Sequence, residues 1–227
     1  MLRTISKVTL MCALFTTSVA YAGVVIESTR YLYKEGTREI TAQIENKDNM
    51  PYLIKSWVEA PQGQTPAFMV TPPLFRLEAK QQNTVRIFSA GNINVPKDRE
   101  SIFFFNMMAI PPSDETQANN NTIQLAVRHR MRLIYRPKTL LSISPNSEAK
   151  KLEWRKAGNK ITINNPTPFF YYFNTVNFGN TSLTQDIKSI APFSSKEITV
   201  KGVSSATITW KIVNDYGGAG SLYSASL

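Results

Sequence analysis

Cysteine is all but missing. Cys12 is the only one in 227 residues, so no disulfide framework is available and the chain must hold together by packing alone. Histidine is as scarce, with His129 alone. A Ser-His-Asp triad would have to use it, and no G-x-S-x-G turn exists to present a serine. The chain also lacks an H-E-x-x-H helix, an EF-hand loop and a glycine loop able to cradle phosphate. Acidic residues number 16 against 26 Lys and Arg. They are unclustered, so neither a metal site nor a paired-carboxylate site stands out, and no cofactor is implied. These absences predict a protein that is not an enzyme. Long apolar runs are missing too: none reaches the roughly 18–20 residues that cross a bilayer.

The N-terminus reads M-L-R-T-I-S-K, then an apolar run from Val8 to about Phe15, then S-V-A-Y-A. Ala20 and Ala22 fit a small-x-small cleavage site, so residues 1–22 are expected to be a secretory signal peptide cut after Ala22. Cys12 leaves with it. The net charge of +10 is scattered except for a cluster at 128–136. No nucleic-acid motif accompanies it, and an exported protein meets little nucleic acid, so most of this charge is a soluble basic surface.

Nearly every later segment reads as strand. Val24–Ile26, Glu39–Glu45, Tyr52–Glu59, Thr84–Phe88, Ser101–Ile110 and Ile123–Tyr135 are rich in β-branched and aromatic residues and bounded by turn clusters. A second set follows Pro137: Leu152–Arg155, Lys160–Asn164, Phe169–Asn174, Glu197–Val200, Thr207–Val213 and Ser221–Ser224. No segment holds a 3.6-residue apolar period with caps. The expected fold is all-β, with two sandwiches spanning residues 23–143 and 144–227 and a boundary in the polar stretch after the long strand.

That long strand, I-Q-L-A-V-R-H-R-M-R-L-I-Y-R-P from Ile123 to Pro137, has two unlike faces. One carries Ile123, Leu125, Val127, His129, Met131 and Leu133. The other carries Arg128, Arg130 and Arg132. Two readings of the apolar side are open: it fills this protein's own core, or it is offered to the core of another.

Residues 95–112 read V-P-K-D-R-E-S-I-F-F-F-N-M-M-A-I-P-P. This resembles, in register over about ten positions, the signature of the periplasmic pilus-assembly chaperones of the chaperone/usher pathway. T-P-P (71–73) with R-L (76–77), Y-R-P (135–137), N-P-T-P (165–168) and N-D-Y-G-G (214–218) follow in that family's order, so the resemblance covers the whole chain after the leader. It implies two immunoglobulin-like sandwiches set at an angle with a cleft between them. It also implies a function: binding pilin subunits by donor-strand complementation, a form of β-augmentation. The chaperone completes the subunit's fold, prevents premature polymerisation and delivers it to an outer-membrane usher.

The resemblance assigns the donor positions to Ile123, Leu125 and Val127. It assigns the two cations that grip the subunit's terminal carboxylate to Arg30 and Arg132. Arg132 departs from the family, which most often has lysine there, and a planar fork is not equivalent to a point charge. Arg128 and Arg130 share its face, which leaves open which arginine reaches the carboxylate. Glu100, Arg136 and Asp215 match a charged trio at the domain junction and are given an orienting role. The loop from Ser113 to Asn121 is short and has no flanking cysteine pair, which points to the subclass with a short F1–G1 loop. Some members shield the idle strand by self-association, and the sequence leaves that open for this chain. Stable membrane insertion is not expected. The alternatives are an exported immunoglobulin-like adhesion module or a pilus structural subunit. Neither accounts for the 95–112 motif, and the first leaves Arg30, Arg132 and the donor alternation unexplained.

Overall fold

A computed structural model describes residues 23–61, 67–91, 93–112, 125–200 and 205–227. The predicted leader and Ile123 lie outside these residues. The described part of the first sandwich is built from β1 (Val24–Ile26), β2 (Arg30–Lys34), β3 (Glu39–Asn46), β4 (Tyr52–Glu59), β5 (Phe68–Thr71), β6 (Leu74–Leu77), β7 (Gln82–Ser89), β8 (Ser101–Ile110) and β9 (Val127–Arg136). One sheet runs β1-β3-β7-β5 and the other β2-β9-β8-β4-β6. The chain therefore changes sheets between β1 and β2. Arg30 opens the second of these strands.

Period-two alternation decides what each strand buries. β4 sends Ile54, Ser56 and Val58 inward, and β8 sends Phe103, Phe105, Met107 and Ala109. The aromatic rings meet edge to face: Tyr31 on Phe105 at 5.6 Å, Phe68 on Phe103 at 5.0 Å. Such pairs add about 0.5–1.5 kcal/mol beyond the area they bury.

The second sandwich contains β10 (Glu153–Ala157), β11 (Lys160–Asn165), β12 (Tyr171–Phe178), β13 (Thr181–Ser182), β14 (Ser189–Ile190), β15 (Ser194–Thr199), β16 (Thr207–Val213) and β17 (Ala219–Ser226). Its sheets run β10-β11-β15 and β13-β12-β16-β17, with β14 also on β12. Trp154 packs on Trp210 at 5.4 Å and Trp210 on Tyr223 at 5.8 Å. The cores are separate. The first draws on residues from Val24 to Tyr135 and the second from Leu140 to Ile212. Leu140, on the first-domain side of the boundary expected between Ile143 and Ser144, is thus buried in the second core. One turn of helix, α1 (Pro145–Glu148), opens this domain, with Ser144 Oγ accepting from Ser147 N–H.

The two domains meet through a buried ionic network. Arg136 Nε donates to Glu100 Oε1 at 2.8 Å, and its terminal nitrogens reach the two oxygens of Asp215 at 2.8 and 2.7 Å. Phe170 N–H donates to Glu100 Oε2 at 2.9 Å, and Glu100 N–H to Pro168 O at 2.9 Å. Glu100 and Arg136 belong to the first domain, whereas Asp215, Pro168 and Phe170 belong to the second. Burial pushes the Glu100 carboxyl above its ordinary value, against the pull of Arg136 and the Phe170 N–H. For Arg136, burial disfavours the charge, but Asp215 and Glu100 outweigh it and hold the guanidinium above its usual value. Asp215 sits in the β16–β17 hairpin, whose Asn214 Oδ1 accepts from Tyr216 N–H and Gly218 N–H, both at 3.0 Å. Gly217 there has φ +90°, and a Cβ would come within 3.3 Å of Thr29 Oγ1, so glycine serves both the turn and the close approach of the domains.

Arg136→Met is expected to cost about 3–5 kcal/mol in urea unfolding, because it strands a buried carboxylate. Asp215→Ala should cost less, since Arg136 keeps Glu100 as partner. The pH dependence has a definite sign. A carboxyl whose folded pKa is raised contributes stability that is fully present below its ordinary value of 4.5 and lost as pH rises through the folded pKa. The stability of the wild type relative to Glu100→Gln should therefore decline as the pH rises above 4.5. A constant difference across that range would contradict the sign.

Candidate functional site

The edge of β9 is the centre of the site. β8 pairs with it along its whole length, from Ala109 opposite Val127 to Ser101 opposite Tyr135. β2 pairs with the other edge in parallel, and only from Arg132, opposite Arg30, to Arg136, opposite Lys34. From Val127 to Met131 that edge has no strand partner among the described residues. Its outward N–H and C=O groups are a template for another strand.

Side-chain burial changes along the same strand. Met131 and Leu133 are buried in the first core. Val127, two steps back on that face, is 54% exposed, and Leu125 is 75% exposed. Among the described residues nothing covers them, so Leu125 and Val127 do not fill this protein's own core. His129 is half-buried between the two regions. Ile123 lies outside the described residues.

The arginine face divides just as clearly. Arg128 holds both oxygens of Glu59, at 2.7 and 2.8 Å, donates from Nε to Asn106 Oδ1 at 3.0 Å, and lies 5.1 Å from the Trp57 ring centre. Arg130 stacks on Phe104 at 3.6 Å and reaches Glu59 Oε2 at 3.6 Å. The hydrogen bond from the Trp57 indole, together with the charges of Arg128 and Arg130, holds the Glu59 carboxyl below its ordinary value. Two of the three arginines are thus already paired with an acid.

Arg132 is different. It sits in register with Arg30, and neither makes an ion pair with a carboxylate among the described residues. The parallel pairing brings the two cations side by side. Arg30 is 8% exposed, and one of its terminal nitrogens donates to the Val213 and Asn214 carbonyls of the second domain at 3.2 and 3.1 Å. Its Nε has no acceptor, and a buried donor left unmade is costly. Burial and the charge of Arg132 both lower the Arg30 pKa. Two adjacent guanidinium groups suit a planar anion such as a carboxylate, which accepts charge-assisted bonds from both sides.

Tyr172 completes the site and was not anticipated from the sequence. It comes from β12 in the second domain, with the Arg132 guanidinium 3.9 Å and that of Arg30 5.5 Å from its ring centre. Alternation would have flagged it: Tyr171 and Phe173 are buried in the second core, which puts Tyr172 on the opposite face.

Comparison with known proteins names the family. Residues 23–141 match the pili and flagellar-assembly chaperone family, PapD N-terminal domain, and residues 147–224 match the pili assembly chaperone PapD C-terminal domain. Chaperone protein FimC of Escherichia coli strain K12 is 36% identical over 215 residues, covering 94% of this chain and 88% of FimC. Among solved structures, the Salmonella enterica SafA pilin in complex with the SafB chaperone matches with a TM-score of 0.81 and 33% identity, covering 92% of this chain and 99% of the matched chain. The Escherichia coli chaperone DraB matches with a TM-score of 0.77 and 32% identity, covering 90% and 97%. With both of its sandwiches matched in order, the chain belongs to the non-enzymatic family of pilus-assembly chaperones.

Proposed function

We propose that the protein is an exported, periplasmic chaperone that binds pilin subunits by lending them the free edge of β9. It completes a subunit's sandwich, blocks premature polymerisation and passes the subunit to an outer-membrane usher. The observation that carries this is the coincidence of three things along one edge: a stretch from Val127 to Met131 with no strand partner among the described residues, the exposed side chains of Val127 and, just before the strand, Leu125, and the cations Arg30 of β2 and Arg132 of β9 where that stretch ends. The edge supplies main-chain hydrogen bonds. The side chains of Leu125 and Val127 supply apolar contacts, and the donor position that the family resemblance assigns to Ile123 would add a third. Arg30 and Arg132 grip the subunit's terminal carboxylate and thereby set register, since a one-residue slip would reverse every side chain. Glu100, Arg136 and Asp215 hold the second domain at the angle that keeps Arg30 against the Val213 and Asn214 carbonyls.

Co-expression with the pilin encoded nearby, followed by recovery of the binary complex, tests the anchor. Arg30→Ala and Arg132→Ala are each expected to weaken capture by about 2–5 kcal/mol, the cost of removing one partner of a desolvated charge pair. Undiminished recovery from both folded variants would sink the anchoring role. Leu125→Asp alters a side chain outside the core, so the fold should survive while capture is lost; retained capture would mean that Leu125 faces elsewhere. Mass spectrometry of periplasmic protein should find the mature chain beginning at Gly23.

A further inference from the structure

The anchor has two cations in adjacent register positions, and neither is ion-paired with a carboxylate among the described residues. Arg30 has partial compensation from two carbonyls of the second domain. Arg132 has none of these. Its guanidinium instead lies 3.9 Å from the centre of the Tyr172 ring, closer than that of Arg30 at 5.5 Å. An aromatic face carries the negative side of the ring quadrupole, so it attracts a guanidinium lying on it and restricts the group to one plane. Arg128 and Arg130 show the alternative on the same strand, where Glu59 holds them. Had Arg132 been held by a carboxylate, its donors would be taken. The ring face holds the cation and the Tyr172 hydroxyl engages one of its N–H groups, which leaves the other guanidinium donors open.

We infer that Tyr172 is a positioning residue for the carboxylate anchor. It acts through Arg132, seating the guanidinium beside Arg30 with its donors presented outward and easing the repulsion between the two charges. Tyr172 also belongs to β12, in the other domain. Capture of a subunit terminus then depends on the second sandwich at two points, the Tyr172 ring and the Val213 and Asn214 carbonyls. This also gives arginine at 132 a reason, because a guanidinium over a ring keeps several N–H donors in a fixed fork, whereas lysine meets a ring as a compact point charge. The inference rests on the proposed gripping of a terminal carboxylate.

The test uses the full-length mature protein and two short fluorescent peptides. Both copy the C-terminal strand of the co-purified pilin; one ends in a free carboxylate and the other in a primary amide. Anisotropy titration gives the carboxylate preference as the ratio of the two affinities. For Tyr172→Leu that ratio should fall by roughly tenfold, within the range of a desolvated cation–π contact, while the amide peptide binds nearly as before. Tyr172→Phe keeps the ring and should stay within about threefold of wild type. In an Arg132→Ala background, Tyr172→Leu should add no further loss. A Leu variant that keeps the wild-type ratio, one that weakens both peptides equally, or losses that add in the double variant would each overturn the role of Tyr172. A wild type with no carboxylate preference would overturn the anchor itself, and the inference with it. Thermal unfolding of each variant separates these outcomes from loss of fold.

Discussion

The pairing of β2 with β9 is short, parallel and abruptly limited, and most of the molecule's chemistry depends on where it stops. Because β2 begins at Arg30, its first residue lies beside Arg132, and among the described residues the rest of the β9 edge has no strand partner. Two strands running the same way need a connection longer than a hairpin. Here nearly the whole first sandwich intervenes, and β2 is reached only because the chain leaves one sheet after Ile26 and joins the other at Arg30. A β2 extended toward its N-terminus would cover the edge and separate the cations from its end. The free edge and the charge pair are two results of the same boundary.

The second sandwich is not a spectator of this arrangement. It contributes carbonyls to Arg30, a ring to Arg132 and a carboxylate to Arg136, while its hydrophobic core remains separate from that of the first. Polar contacts between separately packed domains suit a junction that sets geometry more than one that adds stability. Long-range placement is carried by few residues: the Asn214–Gly218 turn holds Asp215, and Glu100 is bracketed by the main chain around Phe169.

Much of this was legible in the sequence, for physical reasons that also explain the remainder. β4 and β8 are dense in alternating apolar and aromatic residues between clear turn signals, and their predicted bounds match the structure. β5 and β6 passed unread because they are four residues long and Pro72-Pro73 separates them, and β2 because no turn cluster sets it apart from Val24–Ile26. A single helical turn at α1 is too short to show a period. Residues 128–132 gave an arginine face, but alternation cannot tell one arginine from another. Glu59, Asn106 and Tyr172, which sort them, lie at least 22 residues away in the chain. Leu125 and Val127 were ambiguous for a similar reason: period two identifies a face but not what stands opposite it.

The direction of β2 carries a further implication. A strand that lies along Val127–Met131 and ends at Arg30 and Arg132 must run the same way as β9, meeting β2 end to end in one line. Its pairing is therefore parallel, which is slightly weaker per residue than an antiparallel ladder. The grip proposed above would therefore rest more on Arg30, Arg132 and the exposed apolar side chains than on the strength of the backbone ladder.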